Sequence, residues 1–270
     1  MKLKIAVVQF EIRQFAPEDN LKKAEQFIKE AAPEAQIIVF PEDFITGTLS
    51  GEKSFVDNEG RYVRHFQQLA VTYGIDIVPG SIIEGDHVGL YNTTYYIDRT
   101  GSILARYRKM NLWIPERVYI TPGNEIVVFE TRFGKTGLII CWDLILPEVF
   151  QAMVRQGVEI VICPSYWCFE DAGSGMKYDT NAEVKLVNAL CVARAFENEI
   201  ILVYANAAGV GKYQGIEERL IGRSQITVPF KGALRVLEHN QEEMFIEEVD
   251  TSILNDAEAA YQLRRTSLII

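Results

Sequence analysis

The length, composition and charge of the chain favour a folded, acidic protein. It has 270 residues, of which 48% are hydrophobic, and its formal net charge is −10. This composition allows a large core and excludes an intrinsically disordered chain. The acidic balance argues against nucleic acid as the main partner, because a phosphate backbone needs a basic protein face. No apolar run reaches the ~18 residues that cross a bilayer, so no membrane partner is expected.

The N-terminus and the cysteines indicate a cytoplasmic protein. The opening MKLKIAVVQF is too short and too strand-like for a signal peptide. Reduced thiols are therefore expected for the cysteines, which are Cys141, Cys163, Cys168 and Cys191. Their spacing, and the scattering of the three histidines, do not match a zinc site. We expect no metal.

The first half of the chain alternates between patterns typical of strands and of helices. Helical spacing of apolar side chains predicts helices at residues 21–32 and 61–73. Apolar or alternating runs predict strands at residues 3–9, 37–42, 75–82, 91–98 and 102–109. The turn Arg99-Thr100-Gly101 separates the last two strands and indicates an antiparallel hairpin.

The second half continues the same alternation. Strands are predicted at residues 136–141, 158–165 and 199–206, and further strands within 223–239 and 242–250. Helices are predicted at 147–157, which begins with Pro147 and ends at Gly157, and at 181–198. The pattern predicts an α/β fold with mostly buried strands. Because no linker, repeat or low-complexity segment interrupts it, we expect one domain over residues 1–270.

Reactive side chains follow several of the predicted strands. Glu42 ends IIVFPE, Lys109 ends ILARYRK and Cys141 ends TGLIIC. Ligand crevices of open α/β sheets lie at strand ends, so these side chains would share a pocket if the three strands lay side by side. A carboxylate could then deprotonate the thiol, and a lysine could lower the thiol pKa and stabilise an oxyanion. Each feature alone is more typical of packing, a turn or a charged edge, and spacing does not prove that they converge.

Longer motifs around these residues resemble the nitrilase superfamily of carbon–nitrogen hydrolases. The segments are IIVFPEDFITG with Glu42, YNTTYYIDRTGSILARYRKMNLW with Lys109, ERVYITPG with Glu116 and TGLIICWDLILPE with Cys141. Later stretches at 193–206 and 222–232, and the ending LRRTSLI, also resemble family motifs in the expected order. The resemblance covers nearly the whole chain.

The resemblance implies a four-layer αββα sandwich, and a homodimer or larger assembly with the tail at about residues 255–270 packed at the dimer interface. It implies a cysteine thioester mechanism on a small amide, without metal or organic cofactor. Glu42 would be the general base, Cys141 the nucleophile and Lys109 the oxyanion ligand. Glu116 would orient Lys109 or the substrate, and the two carboxylates should titrate as a coupled pair.

Departures from the family pattern bear on the substrate. Asn111 stands where the lysine motif commonly has histidine, and we expect a structural role for this position. Leu144 and Ile145 stand where members that bind a substrate carboxylate often have arginine, so we expect a substrate without a carboxylate at that point. Asp143 after Trp142 favours amides over nitriles. A nitrilase, an N-carbamoyl-amide hydrolase and a non-catalytic scaffold protein stay open as alternatives.

Aromatic residues near the expected site are candidates for substrate binding. Trp142 follows the nucleophile directly, and Tyr166 and Trp167 follow a predicted strand. Tyr166 and Trp167 could line the pocket or fill the core, and the sequence does not decide between these placements. The other three cysteines are expected to pack as small apolar residues.

Overall fold

A computed structural model of the protein describes residues 1–213 and 215–266. The strands in chain order are β1 (Lys2–Glu11), β2 (Ile37–Val39), β3 (Asp76–Val78), β4 (Ser81–Gly85), β5 (Leu90–Ile97), β6 (Ile103–Arg108), β7 (Val128–Thr131), β8 (Gly134–Leu138), β9 (Ile160–Ser165), β10 (Ile201–Ala208), β11 (Val210–Tyr213), β12 (Ile216–Arg219), β13 (Gln225–Val228), β14 (Gly232–Val236) and β15 (Glu243–Asp250). The helices are α1 (Pro17–Ala31), α2 (Arg61–Tyr73), α3 (Pro147–Arg155), α4 (Ala182–Glu197), α5 (Ile253–Tyr261) and α6 (Leu263–Thr266). Short 3₁₀ helices lie at Ile114–Val118, Cys141–Ile145 and Phe169–Lys177.

The strands form two sheets that meet along one short contact. The strand order of the first sheet is β6, β5, β3, β2, β1 and β15, and β4 pairs with β5 in line with β3. The strand order of the second sheet is β7, β8, β9, β10, β13 and β14. The sheets join where Phe10 and Glu11 of β1 pair in parallel with Ala207 and Ala208 of β10. Within each sheet the central strands are parallel and the outer strands are antiparallel.

The apolar core fills the space between the sheets and beneath the outer helices. One cluster joins first-sheet residues such as Val7 and Val39 to second-sheet residues such as Val161 and Val203. Another cluster packs α1 and α2 against the outer face of the first sheet. Helices α3 and α4 pack against the second sheet. This order of layers confirms the predicted αββα sandwich. Within the described residues, no helix is long and apolar enough to span a bilayer.

The three strands that precede Glu42, Lys109 and Cys141 do not lie side by side. Strands β2 and β6 lie in the first sheet with β5 and the β3–β4 pair between them, and β8 lies in the second sheet. Their ends meet because the two sheets face each other. Moreover, β8 ends at Leu138, and Cys141 begins a 3₁₀ helix instead of ending the strand.

The predicted strand at residues 75–82 is divided into β3 and β4 by Pro79 and Gly80. Both parts lie along β5, with Ile77 opposite Ile97 and Ser81 opposite Thr94. Gly80 has φ +59°, and a Cβ atom there would lie 1.9 Å from the carbonyl oxygen of Pro41. A glycine is therefore required where this chain crosses behind the segment that carries Glu42.

Segments that sequence patterns did not predict include β7, the hairpin of β11 and β12, α5 and α6. The last helix, α6, begins at Leu263 and follows α5 after a left-handed Gln262. Of the predicted interface tail at residues 255–270, positions 267–270 lie outside the described residues.

Replacing Gly80 with alanine should destabilise the protein more than the same change at Gly74. Gly74 has φ +65° but open space around its Cβ position, so Gly74→Ala should cost about 1–2 kcal/mol for the left-handed backbone alone. Gly80→Ala adds the collision with Pro41, and we expect about 3 kcal/mol or more. Urea unfolding of both variants measures the difference. Equal losses of stability would contradict the proposed close contact.

Candidate active site

The structure brings Glu42, Lys109, Glu116 and Cys141 together in one pocket. The Lys109 ammonium lies between two carboxylates, with its Nζ 2.8 Å from Glu42 Oε1 and 2.7 Å from Glu116 Oε2. The Cys141 thiol lies near the Glu42 carboxylate and interacts with it electrostatically. Glu42 is therefore a neighbour of both the thiol and the ammonium.

Asn92 of β5 holds the two carboxylates in place. Its Nδ2 donates to Glu42 Oε1 at 2.8 Å and to Glu116 Oε1 at 3.2 Å. The second oxygen of Glu42 accepts a hydrogen bond from the backbone N–H of Tyr166 at 2.9 Å. Glu116 also accepts from the Trp113 N–H at 2.7 Å. Each carboxylate is thus oriented by neutral donors as well as by Lys109, which favours one fixed arrangement.

The charge states of these groups depend on burial and on one another. Burial would lower the pKa of Lys109, but the carboxylates of Glu116 and Glu42 outweigh it and hold the pKa of the ammonium well above its usual value. Burial raises the pKa of Glu42, and Lys109 opposes that rise. Lys109 is therefore charged, and Glu42 is the group best placed to gain or lose a proton.

The thiol of Cys141 is protonated in this resting arrangement. Burial and the Glu42 carboxylate raise its pKa well above the usual range, although Lys109 acts in the opposite direction. The expected effect of the lysine on the thiol pKa is present but is not dominant. A nucleophilic Cys141 would consequently need a base at the moment of attack, and Glu42 is the adjacent base.

Cys141 occupies a strained turn between β8 and the 3₁₀ helix. Its φ is +47°, which is unfavourable for a residue with a side chain. The buried carboxylate of Asp143 fixes this turn by accepting hydrogen bonds from the Ile140 N–H at 2.9 Å and the Tyr107 hydroxyl at 2.8 Å. Asn111 adds two more, from its backbone N–H at 2.9 Å and its Nδ2 at 2.8 Å. Asn111 therefore has the structural role that we expected at this position.

Arg194 holds the following turn and does not line the pocket. Its Nε and Nη2 donate to the carbonyl oxygens of Leu144 and Ile145 at 3.1 and 2.6 Å, and its Nη1 pairs with Glu197. Lys109 is the sole cation among the described residues that line the pocket. A substrate carboxylate would thus find no free cation there.

Aromatic rings form one side of the pocket. Trp142 packs between Trp113 and Trp167, with ring centroids 4.3 and 5.4 Å away. Trp167 is fully buried, and its indole N–H donates to Glu183 at 2.6 Å, so it combines core packing with a place in the pocket wall. Tyr166 also lines the pocket, and its carbonyl oxygen accepts the Cys141 thiol at 3.8 Å.

Sequence analysis missed several residues of the site or their structural role. Asn92 and Trp113 lie within the quoted lysine motif, and Asp143, considered only for its bearing on the substrate, directly follows Cys141-Trp142, so their motifs offered a signal. Asp171 and Glu218 also line the pocket, but they lie on a 3₁₀ helix and on β12 without any recognisable pattern.

Comparison with known proteins identifies the family. The family model described as carbon-nitrogen hydrolase matches residues 4–256. The chain belongs to the carbon–nitrogen hydrolase family. It is 30% identical over 213 residues to a 2-oxoglutaramate amidase of Bacillus subtilis, a match that covers 77% of this chain and 78% of that protein. It is also 30% identical over 268 residues to a probable nitrilase of Schizosaccharomyces pombe, covering 95% and 91%.

A solved structure supports the fold of this carbon–nitrogen hydrolase. The crystal structure of a carbon-nitrogen hydrolase from Helicobacter pylori G27 superposes with a TM-score of 0.86 at 23% identity, covering 98% of this chain and 94% of that one. At this level of identity the likeness concerns the sandwich fold alone.

Asp171→Asn should change how stability depends on pH. Burial is the main reason that the pKa of Asp171 rises from 3.8 to about 7 in the folded protein. Between these values the folded state keeps a proton that the unfolded state has lost. The free energy of unfolding that this proton contributes is fully present at low pH, and it is lost progressively as pH rises through about 7. Asparagine does not titrate, and the Tm of the variant relative to wild type should therefore increase from pH 5 to pH 8.

Calorimetry at both pH values measures this difference. Glu217→Gln is the matched control, because Glu217 is exposed on β12 one residue from the pocket-lining Glu218. Its Tm relative to wild type should be the same at both values. An Asp171→Asn difference that does not depend on pH would contradict the prediction.

Proposed function

We propose that this carbon–nitrogen hydrolase cleaves small amides through a thioester on Cys141. The observation that carries the proposal is that Glu42 forms an ion pair with Lys109 and lines the same pocket as the neutral thiol of Cys141, with which it interacts. One carboxylate can accept the thiol proton while the neighbouring cation stabilises negative charge on the substrate oxygen. The amidase name of the Bacillus subtilis relative supports an amide as the substrate.

The first half of the reaction forms the thioester. Glu42 accepts the thiol proton as the sulfur of Cys141 attacks the amide carbonyl carbon, and Lys109 stabilises the oxyanion. When the tetrahedral intermediate collapses, the carbon–nitrogen bond breaks and the protonated Glu42 gives its proton to the leaving nitrogen. Ammonia or an amine departs, and the acyl group stays on the sulfur.

The second half restores the enzyme. Glu42, again a carboxylate, accepts a proton from water, and the hydroxide attacks the thioester carbonyl. Collapse of this second intermediate releases the carboxylic acid and returns the proton to Cys141. Glu116 acts as a positioning residue, because its ion pair keeps Lys109 directed at the reacting centre.

Ammonia release from a panel of amides, N-carbamoyl compounds and nitriles tests the proposal. Cys141→Ala and Glu42→Gln should each lower amide hydrolysis by about 10⁴-fold or more, because they remove the nucleophile and its base. Cys191→Ala is the matched control, since Cys191 is a fully buried thiol in α4 away from the pocket, and it should keep activity. Full activity in Cys141→Ala would refute the thioester mechanism.

Alkylation distinguishes an enzyme from a non-catalytic scaffold with the same fold. Iodoacetamide at neutral pH should label Cys141 before the other three buried thiols, because Cys141 lies in the pocket near both the Glu42 carboxylate and the Lys109 ammonium. Glu42→Gln should slow this labelling. Uniformly slow labelling of all four cysteines would favour the scaffold.

The homodimer implied by the family resemblance is proposed to use an exposed aromatic patch. The patch consists of Val192 and Phe196 of α4, Tyr261 of α5, and Phe230 between β13 and β14. These side chains are between 40% and 49% exposed, and Tyr261 packs against both phenylalanines. Light scattering should give twice the 30.6 kDa chain mass. Phe196→Arg should yield monomers, whereas Val71→Arg on the distant α2 should not. A monomeric wild type would contradict the proposal.

The proposed location and domain organisation follow from the same features. The mechanism needs a reduced Cys141, which favours a cytoplasmic location, where thiols are kept reduced. One core cluster contains residues from both sheets, from Leu3 to Leu254, and this supports the proposal that residues 1–270 act as one domain.

A further inference from the structure

The pocket contains more carboxyl groups than the proposed chemistry uses. Among its lining residues are five acids, Glu42, Asp43, Glu116, Asp171 and Glu218, and one cation, Lys109. Glu42 and Glu116 pair with Lys109. The described part of the chain gives Asp43, Asp171 and Glu218 no ion pair. Asp43 instead hydrogen bonds with Ser81 beneath the pocket.

Asp171 and Glu218 reach the pocket wall from different elements and meet at Cys168. The backbone N–H of Cys168 donates to Asp171 at 2.8 Å, and its sulfur lies 3.9 Å from a Glu218 carboxylate oxygen. An isolated antiparallel β-bridge between the backbones of Cys168 and Leu220 holds the end of β12 against the segment that contains Cys168. The two carboxylates are therefore held near each other by the fold, although like charges repel.

Arg219, which follows Glu218 in the chain, pairs with Glu170, and within the described residues it forms no ion pair with either of those two carboxylates. Arg219 donates from its backbone N–H and its Nε to Glu170 at 2.8 and 2.9 Å. Its side chain is 55% exposed, and neither Arg219 nor Glu170 lines the pocket. This ion pair fastens β12 to the 3₁₀ helix and leaves the acidic wall without a cation of its own.

The hydroxyl of Tyr166 is an independent sign of a missing ligand group. Tyr166 lines the pocket and is only 9% exposed, yet its buried hydroxyl has no hydrogen-bond partner among the described residues. The oxygen lies against Gly211 of β11, where a Cβ would come within 1.6 Å of it. Burial raises the pKa of this hydroxyl, and the neighbouring Cys168, Glu218, Asp43 and Asp171 raise it further. Burying a tyrosine hydroxyl without a hydrogen-bond partner costs free energy of folding, and a bound ligand group that pairs with it would remove this cost.

We propose that Asp171, Glu218 and Tyr166 form a subsite for a positively charged group at the far end of the amide substrate. The substrate class is an ω-amino amide, whose ammonium offers three donors to two carboxylates and a phenol oxygen. A substrate carboxylate would be repelled, and the described residues contain no cluster of three or more His, Cys, Asp or Glu side chains suited to a metal ion. This inference rests on the proposed amide hydrolysis.

Matched pairs of amides test the charge of the far end. The ω-amino amides from 3-aminopropanamide to 6-aminohexanamide are compared with the isosteres in which methyl replaces ammonium, butanamide to heptanamide, and with glutaramate as the anionic amide. Assays at pH 8 keep Asp171 ionised, since its pKa is about 7. The best ω-amino amide should exceed its isostere in kcat/KM by about tenfold or more, and glutaramate should be the poorest substrate.

The variants are judged by the ratio of kcat/KM for the best ω-amino amide to that for its isostere. Asp171→Asn and Glu218→Gln should each lower this ratio by about tenfold, and Tyr166→Phe should lower it less, because it removes a neutral acceptor. Glu217→Gln should leave the ratio unchanged. Because both substrates are measured on the same variant, a general loss of folded enzyme cancels from the ratio.

The possible failures are distinguishable. If neutral amides are hydrolysed but no ω-amino amide exceeds its isostere, or if the ratio is the same in Asp171→Asn and Glu218→Gln as in wild type, the cationic subsite is refuted while the amidase proposal stands. If no amide of any charge releases ammonia, the proposed function itself fails. Isothermal titration of Cys141→Ala with the two amide series then decides the subsite, and it is refuted if the ω-amino amides bind no more tightly than their isosteres.

Discussion

The buried ion-pair network around Lys109 is the constraint on which the site depends. A lysine that is 2% exposed is stable as an ammonium only if anionic groups replace its lost hydration. Glu42 and Glu116 supply these groups from different parts of the chain, and Asn92 fixes both carboxylates. Removing Lys109 would leave two buried carboxylates without their cation, and removing either carboxylate would leave the ammonium with one acceptor fewer, so each of these residues constrains the others. The network also leaves Glu42 next to the thiol with a raised pKa, which suits a group that must carry a proton back and forth.

Cys141 is held by a second, separate network of hydrogen bonds. Its strained backbone persists because Asp143 receives hydrogen bonds from Ile140, Tyr107 and Asn111, while Arg194 holds the next turn. Asp143 belongs to the segment from the second sheet, whereas Tyr107 belongs to β6 of the first sheet. This contact therefore couples the position of the sulfur to the packing of the two sheets. A site built across a sheet interface gains fixed geometry from the whole core.

The remainder of the pocket differs in charge from the reacting centre. At the centre, two carboxylates share one ammonium, whereas Asp171 and Glu218 on the outer wall have no cation among the described residues. The B. subtilis relative is named for 2-oxoglutaramate, an amide that carries a carboxylate, whereas the described residues that line this pocket include no free cation for such a group.

The sequence by itself determined the order and type of most elements, because buried strands and amphipathic helices have distinct periodicities. It also identified Glu42, Lys109, Glu116 and Cys141, since their motifs resemble those of a known family. Only the tertiary structure decided that two facing sheets, and not adjacent strands, bring these residues together. It also decided that Gly80 interrupts a strand and that burial outweighs Lys109 at the thiol. Asp171 and Glu218 could not be foreseen, because residues distant along the chain become neighbours through long-range packing that leaves no local pattern.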